Sequence, residues 1–214
     1  MGVELHGLAM STSTARVIAC FEEKGLPFEL APVRVEVGAH KQPPFLSLNP
    51  FGQIPAFEDD EVKLFESRAK TNYISNKYNE IGADLLRFGN VPEFALVLVW
   101  MEVEAHRFNP PISAIVREAL VKPAFGATTD ASVIEAEAKK LAKVLDVYES
   151  RLSENKYLAG ENFSLADLHH LPYIHYLLKT SKADLITSRK HVKAWWDDIS
   201  SRPSWKKVSE NMKF

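Results

Sequence analysis

The chain has 214 residues, 46% of them hydrophobic and 25% charged, with a formal net charge of −2. Such a composition belongs to a globular protein of one large domain or two small ones, and it gives no reason to expect nucleic acid or an anionic membrane as partner. No signal peptide and no bilayer-spanning segment are expected, and the single cysteine, Cys20, excludes an internal disulfide, a CxxC pair and a zinc-finger set within these residues. A reducing cytoplasmic compartment is the expectation.

The first 80 residues alternate in type. Val3 to His6 reads as a strand. Met10 to Thr14 is a small-residue turn with several N-cap candidates, and Ala15 to Lys24 has the spacing of a helix that Gly25 ends at C′. Phe28 to Val35 alternates like a second strand. Gly38 to Leu48 is a polar, proline-bearing loop with a short helix. Ala56-Phe57 and Val62 to Phe65 are short strands around an acidic turn, and Glu66-Ser67-Arg68 opens another helix. A parallel pair across the first crossover and a final hairpin predict a mixed four-stranded sheet.

Residues 81–92, with Gly82, Gly89 and Pro92, read as a linker, and 93–214 as an all-α domain. Glu93 to Phe108 is apolar on most faces, which predicts a buried helix. Pro110-Pro111 should break or kink it and open a cleft facing Ser11. Ala131 to Leu152 is amphipathic through Leu141, Val144, Leu145, Tyr148 and Leu152. Ser164 to Asp167 has the form of a capping box, with Phe163 and Leu168 placed for a hydrophobic staple. Further helices are expected from about Val192 to Ser200 and Trp205 to Met212.

Two places carry chemistry. In Asn49 to Arg68, Pro55 ahead of a strand can fix a cis bond and pushes Ile54 extended, leaving a strand edge for a peptide backbone. The helix opening at Glu66-Ser67 is a carboxylate site. The turn at Ser11, Thr12, Ser13 and Thr14 sits where open α/β sheets bind ligands. Either one hydroxyl caps the helix and the rest are solvated, or one donates a hydrogen bond to a bound anion. A nucleophilic serine is disfavoured, because nothing local supplies a base.

With Met10-Ser11-Thr12, Ala39-His40-Lys41, Asn49 to Pro55, Phe65 to Ala69, Lys143 to Glu149, Tyr157 to Gly160, Leu165 to His170 and Arg202-Pro203, the whole chain resembles a plant glutathione transferase of the phi class. The resemblance implies a thioredoxin-like glutathione-binding domain over 1–80, an all-α domain lining the electrophile pocket, and a cytosolic homodimer. It implies glutathione as co-substrate and no metal. It puts the catalytic serine on Ser11, with Ser13 as the alternative. His40 and Lys41 fall at the glycyl carboxylate, Gln53 and Ile54 at the cysteinyl backbone, and Pro55 at the family's cis-proline. Glu66 and Ser67 fall at the γ-glutamyl end, and Phe51 is the aromatic key to the partner subunit. Arg68 supports the site through ion pairs. Met10, Thr12, Val35, Arg117 and Val121 fall at the electrophile pocket, whose mainly apolar lining suits halogenated aromatics, isothiocyanates and organic hydroperoxides.

The magnitudes fit. A thiol of pKa about 8.5 is only a few per cent thiolate at neutral pH. Lowering it by ~2 units takes roughly 2.7 kcal/mol, and a hydroxyl donating to an anion supplies about 1.5–3 kcal/mol. The implied function is conjugation of glutathione to hydrophobic electrophiles, with glutathione-dependent peroxidase activity beside it. The alternative is a non-catalytic carrier, or ligandin, for flavonoids or other hydrophobic ligands. A thiol–disulfide oxidoreductase is disfavoured, since position 11 is not cysteine.

The remaining candidates read as structure. Cys20 shares a buried face with Val17, Phe21 and the Lys24 stem. His169, His170 and His175 lack the spacing to hold a metal from one helix face. Trp195-Trp196, Tyr73 and Tyr78 read as packing. The chain departs from the phi pattern at the glycine-free turn Asp59-Asp60-Glu61, at Ala39, and at Lys70, which must snorkel or find a carboxylate.

Overall fold

The computed structural model describes residues 2–213. The chain's contacts divide it into two compact units, residues up to Asp84 together with Lys207–Lys213, and Leu85–Lys206.

In the first unit β1 (Glu4–Gly7), α1 (Thr12–Lys24), β2 (Glu29–Pro32), α2 (Pro43–Leu46), β3 (Ala56–Glu58), β4 (Lys63–Leu64) and α3 (Ser67–Lys77) follow in order, with 3-10 turns at Val35–Val37 and Ala39–Lys41. The sheet runs β2-β1-β3-β4. β1 and β2 are parallel with Leu5 opposite Leu30, and β1–β3 and β3–β4 are antiparallel with His6 opposite Ala56 and Phe57 opposite Leu64. This is the expected mixed sheet, with both outer strands shorter than their alternation suggests. Gly25 ends α1 at φ 63, a left-handed conformation that glycine adopts without a Cβ penalty.

Helices α1 and α3 pack on one another, and Leu5, Val17, Phe21, Phe57 and Ile74 form the core around them. Phe21 stacks on Phe28 at 4.9 Å and on Phe57 at 6.2 Å between ring centroids. A smaller cluster of Val33, Phe45 and Ala56 packs against Val35, Ala39, Leu48 and Ile54, and so supports the loops at 39–41 and 49–54. Cys20 is fully buried, and burial pushes its thiol up to about 12. It is a structural thiol.

The acidic hairpin turns without glycine because Asp59 does the turning. Its Oδ1 accepts from the backbone N–H of Glu61 and Val62, both at 2.9 Å. Its Oδ2 accepts from Tyr73 Oη at 2.8 Å and Lys77 Nζ at 3.0 Å, which pins the hairpin to α3. An aspartate hydrogen-bonding its own backbone two residues on replaces the positive φ that glycine would supply.

In the second unit α4 (Val91–Val103), a π-turn (Glu104–Phe108), α5 (Asn109–Val116), a second π-turn (Arg117–Val121) and α6 (Lys122–Ala124) form one continuous helical run. Of the expected break or kink at Pro110-Pro111, no break occurs, and the run continues through both residues. The prolines sit in the first turn after the π-turn, where the missing N–H groups are tolerated. The expectation of a buried helix at 93–108 is also corrected, since Leu96, Leu98 and Val99 are exposed.

α7 (Ala131–Glu154) is capped by Asp130 and buries Leu141, Leu145, Tyr148 and Leu152. The shorter helices α8 (Leu165–Leu168), α9 (Leu171–Leu177), α10 (Asp184–Thr187) and α11 (Lys190–Ser200) follow, and then α12 (Pro203–Ser209). The capping box is present: Ser164 N donates to Asp167 Oδ2 at 3.0 Å, while Asp167 Oδ1 accepts from Leu158 N and Trp195 Nε1. Tyr148 Oη lies 2.9 Å from His170 Nε2, whose Nδ1 meets Ala166 O at 2.7 Å. His170 therefore acts as a core side chain. Residues 207–213 pack with the first unit, a return of the chain that the division at 93–214 does not capture.

Candidate active site

The first turn of α1 decides how Ser11 is used. Ser11 is the N-cap residue, with φ −68 and ψ 130, and its backbone O accepts from Ala15 N at 2.8 Å, yet its side chain makes no capping hydrogen bond. The hydroxyl is not spent on its own helix, which removes the plain capping alternative. It stands at the carboxyl end of β1, beside the free N–H groups and partial positive charge of a 13-residue helix.

The strand-edge segment is held by Asn49, which is almost fully buried. Its Nδ2 donates to Gln53 O at 2.6 Å and its Oδ1 accepts from Phe51 N at 3.0 Å. The Ile54–Pro55 bond is cis, and ladder pairing starts only at Ala56, so Ile54 lies outside the sheet. Gly52 has φ 57, and a Cβ there would lie 2.7 Å from His40 O. Only glycine lets the 49–53 turn approach the 39–41 turn so closely. Lys41 Nζ donates to Phe51 O at 3.0 Å, and His40 Nδ1 is buried without a partner. Phe51 projects from the turn, 64% exposed.

At the start of α3, Glu66 is held at φ 66, an uncommon conformation for a residue with a Cβ. Ser67 is buried, and its Oγ accepts from Arg16 Nη1 of α1 at 2.8 Å. Lys70 neither snorkels nor meets a carboxylate. It is fully buried, and its Nζ donates to Pro55 O at 2.7 Å. Burial lowers its pKa to about 8, against the opposing charge of Glu66. Arg16 and Asn49 are supporting residues that sequence reasoning missed, and Lys70, flagged there as a departure, has a partner it did not foresee. Their buried polar heads were a signal only once their distant partners were known.

The first unit thus brings Glu66 and Ser67 onto one helix start, braced by Arg16. It places Gln53 and Ile54 beside the 39–41 turn. Met10, Thr12 and Val35 are half-buried in this unit, whereas Arg117, exposed, and Val121 lie on the second π-turn of the other. Helix starts with free N–H groups, as at Ser11 and at Ser67, suit negative charge.

Comparison with known proteins identifies the family. The N-terminal domain model of glutathione S-transferase matches residues 1–76 and the C-terminal domain model residues 108–203. Glutathione S-transferase F13 of Arabidopsis thaliana is 50% identical, over 99% of this chain and 97% of its own length. The crystal structure of glutathione transferase F7 from Populus trichocarpa superposes with a TM-score of 0.97 at 56% identity, covering 99% of this chain and 100% of that one. Glutathione S-transferase I from mais (maize), solved with an atrazine glutathione conjugate, has a TM-score of 0.92 at 42% identity, covering 99% and 98%. The chain belongs to the glutathione S-transferase family. Within it, the chain is of the plant F (phi) class, and its reaction is glutathione conjugation with glutathione as co-substrate. Among the described residues no helix is long and apolar enough to cross a membrane.

Proposed function

We propose that Ser11 Oγ donates a hydrogen bond to the glutathione thiolate and, with the α1 N-terminus, keeps it ionised at neutral pH. The observation that carries this reading is the Ser11 side chain left out of its own helix cap. Glu66 takes the γ-glutamyl ammonium, Ser67 and the α3 N-terminus take the adjacent carboxylate, and Gln53, Ile54 and Pro55 hold the cysteinyl backbone. His40 and Lys41 take the glycyl carboxylate. Met10, Thr12, Val35, Arg117 and Val121 select the electrophile.

The thiolate attacks an electrophilic carbon and the leaving group departs with its electron pair. Hydroperoxides are a second substrate class. The thiolate takes one oxygen and releases an alcohol, and a second glutathione completes the disulfide and water. Conjugation, peroxidase and ligand-displacement assays on wild type and Ser11→Ala test this. Loss of both turnovers with retained ligand binding is expected. Negligible wild-type turnover, with tight ligand binding that survives loss of Ser11 and Glu66, would mean a carrier instead.

The working form is a cytoplasmic homodimer. Two exposed apolar features support it, the Phe51 tip and the face of α4 at Val91, Leu96, Leu98 and Val99. An open groove of about 570 Å³ lined by Trp100, Val147 and Arg151 offers a seat for an aromatic key.

A further inference from the structure

Lys70 lies three residues past Ser67 on the α3 face that buries Ser67, Thr71 and Ile74. A fully buried lysine is rare unless something holds its charge, and here the holder is a backbone carbonyl. Its amide donates to Glu66 O at 3.1 Å and its ammonium to Pro55 O at 2.7 Å. One residue therefore joins the helix start carrying Glu66 and Ser67 to the segment that begins at Gln53 and Ile54.

Charged and titratable groups stand on its own helix and on other elements of the same unit. Its own helix brings Glu66, whose charge favours the ammonium. Helix α1, packed on α3, brings Arg16, bonded to Ser67 Oγ, and Cys20, whose thiol stays protonated. On the sheet, His6 and Glu58 pair at 2.9 Å, with Glu4 and Lys63 beside them.

We propose that Lys70 is a positioning residue for glutathione, its buried ammonium fixing the Gln53–Pro55 edge against the start of α3, so that affinity for the tripeptide falls when Lys70 loses its charge. The proposal rests on the reading of Gln53, Ile54, Glu66 and Ser67 as glutathione ligands. A charged donor holds a carbonyl about twice as strongly as a neutral one. Because burial brings the Lys70 pKa down to about 8, the change falls within reach of ordinary assays. Linkage fixes the sign: if glutathione binds the protonated form more tightly, bound ligand raises the Lys70 pKa by the same free energy.

The test is calorimetric titration with S-methylglutathione, which has no ionising thiol, against wild type, Lys70→Met and Ser67→Ala. Below pH 8 the Lys70→Met variant should bind about tenfold more weakly than wild type. That ratio should close towards one as pH rises past 8. A ratio constant with pH, or equal affinities throughout, overturns the proposal. Undiminished binding by Ser67→Ala instead refutes the site reading on which it rests. If Lys70→Met does not fold, 13Cε-lysine NMR of the wild type decides. S-methylglutathione should raise the Lys70 pKa by about one unit, and an unshifted titration overturns the idea.

Discussion

Asp59 offers the sharpest test of how the hairpin ahead of the glutathione site is held. Its carboxyl falls from 3.8 to about 2 in the native protein. Burial alone would raise it, and the N–H groups of Val62 and Glu61, with Lys77 and Tyr73, outweigh that. The side chain is only 5% exposed and its Lys77 partner 24%, so solvent screening is limited. The shift corresponds to about 2 kcal/mol of stability at neutral pH. Because the folded pKa is the depressed one, that stability is fully present above pH 3.8 and is lost as pH falls from 3.8 to about 2. Asp59→Asn keeps an acceptor for the two backbone N–H groups but loses the ion pair, at about 1–2 kcal/mol. Asp59→Ala loses both, at about 3 kcal/mol. Urea titrations from neutral to acid pH, with amide exchange at Glu61 and Val62, read the global and local effects. A cost below about 0.5 kcal/mol for Asp59→Ala, or the same acid dependence in wild type and Asp59→Asn, would refute the role given to Asp59.

Arg16→Met removes the donor that holds Ser67 Oγ and should raise KM for glutathione about tenfold while kcat falls less; a drop confined to kcat would contradict the bracing role. Tyr148→Phe removes the hydroxyl that meets the buried His170 Nε2, at a cost of about 1 kcal/mol by chemical denaturation, and an unchanged midpoint would show that bond to be unimportant. Phe51→Ala should lower the apparent mass in sedimentation towards that of one chain. An unchanged association state and stability would remove Phe51 from the interface.

What was legible in the sequence is what local chemistry dictates. Gly25 after an apolar-periodic run marks the end of α1, and Ser164 to Asp167 spells out its own cap. Pro55 ahead of a strand marks a segment kept out of the ladder. The resemblance to phi-class transferases added roles that spacing alone left open at Ser11. Tertiary partners were not legible. Arg16 and Ser67 are 51 residues apart in sequence, and nothing near Lys70 announces that the Pro55 carbonyl will hold it. At 93–108 an apolar pattern on most faces does not say which of those faces the rest of the chain covers. That the helical run continues through Pro110-Pro111 was not legible either, because the π-turn before them has no residue signature.

In the proposed function, Ser11 lowers the thiol pKa of bound glutathione. Titration of the enzyme–glutathione complex by the ultraviolet absorbance of the thiolate measures it directly, in wild type and Ser11→Ala. The wild-type complex should ionise about 2 units below the free thiol, and the variant should return most of that shift while still binding glutathione. An equally low pKa in Ser11→Ala, with full conjugation activity, would contradict the assignment.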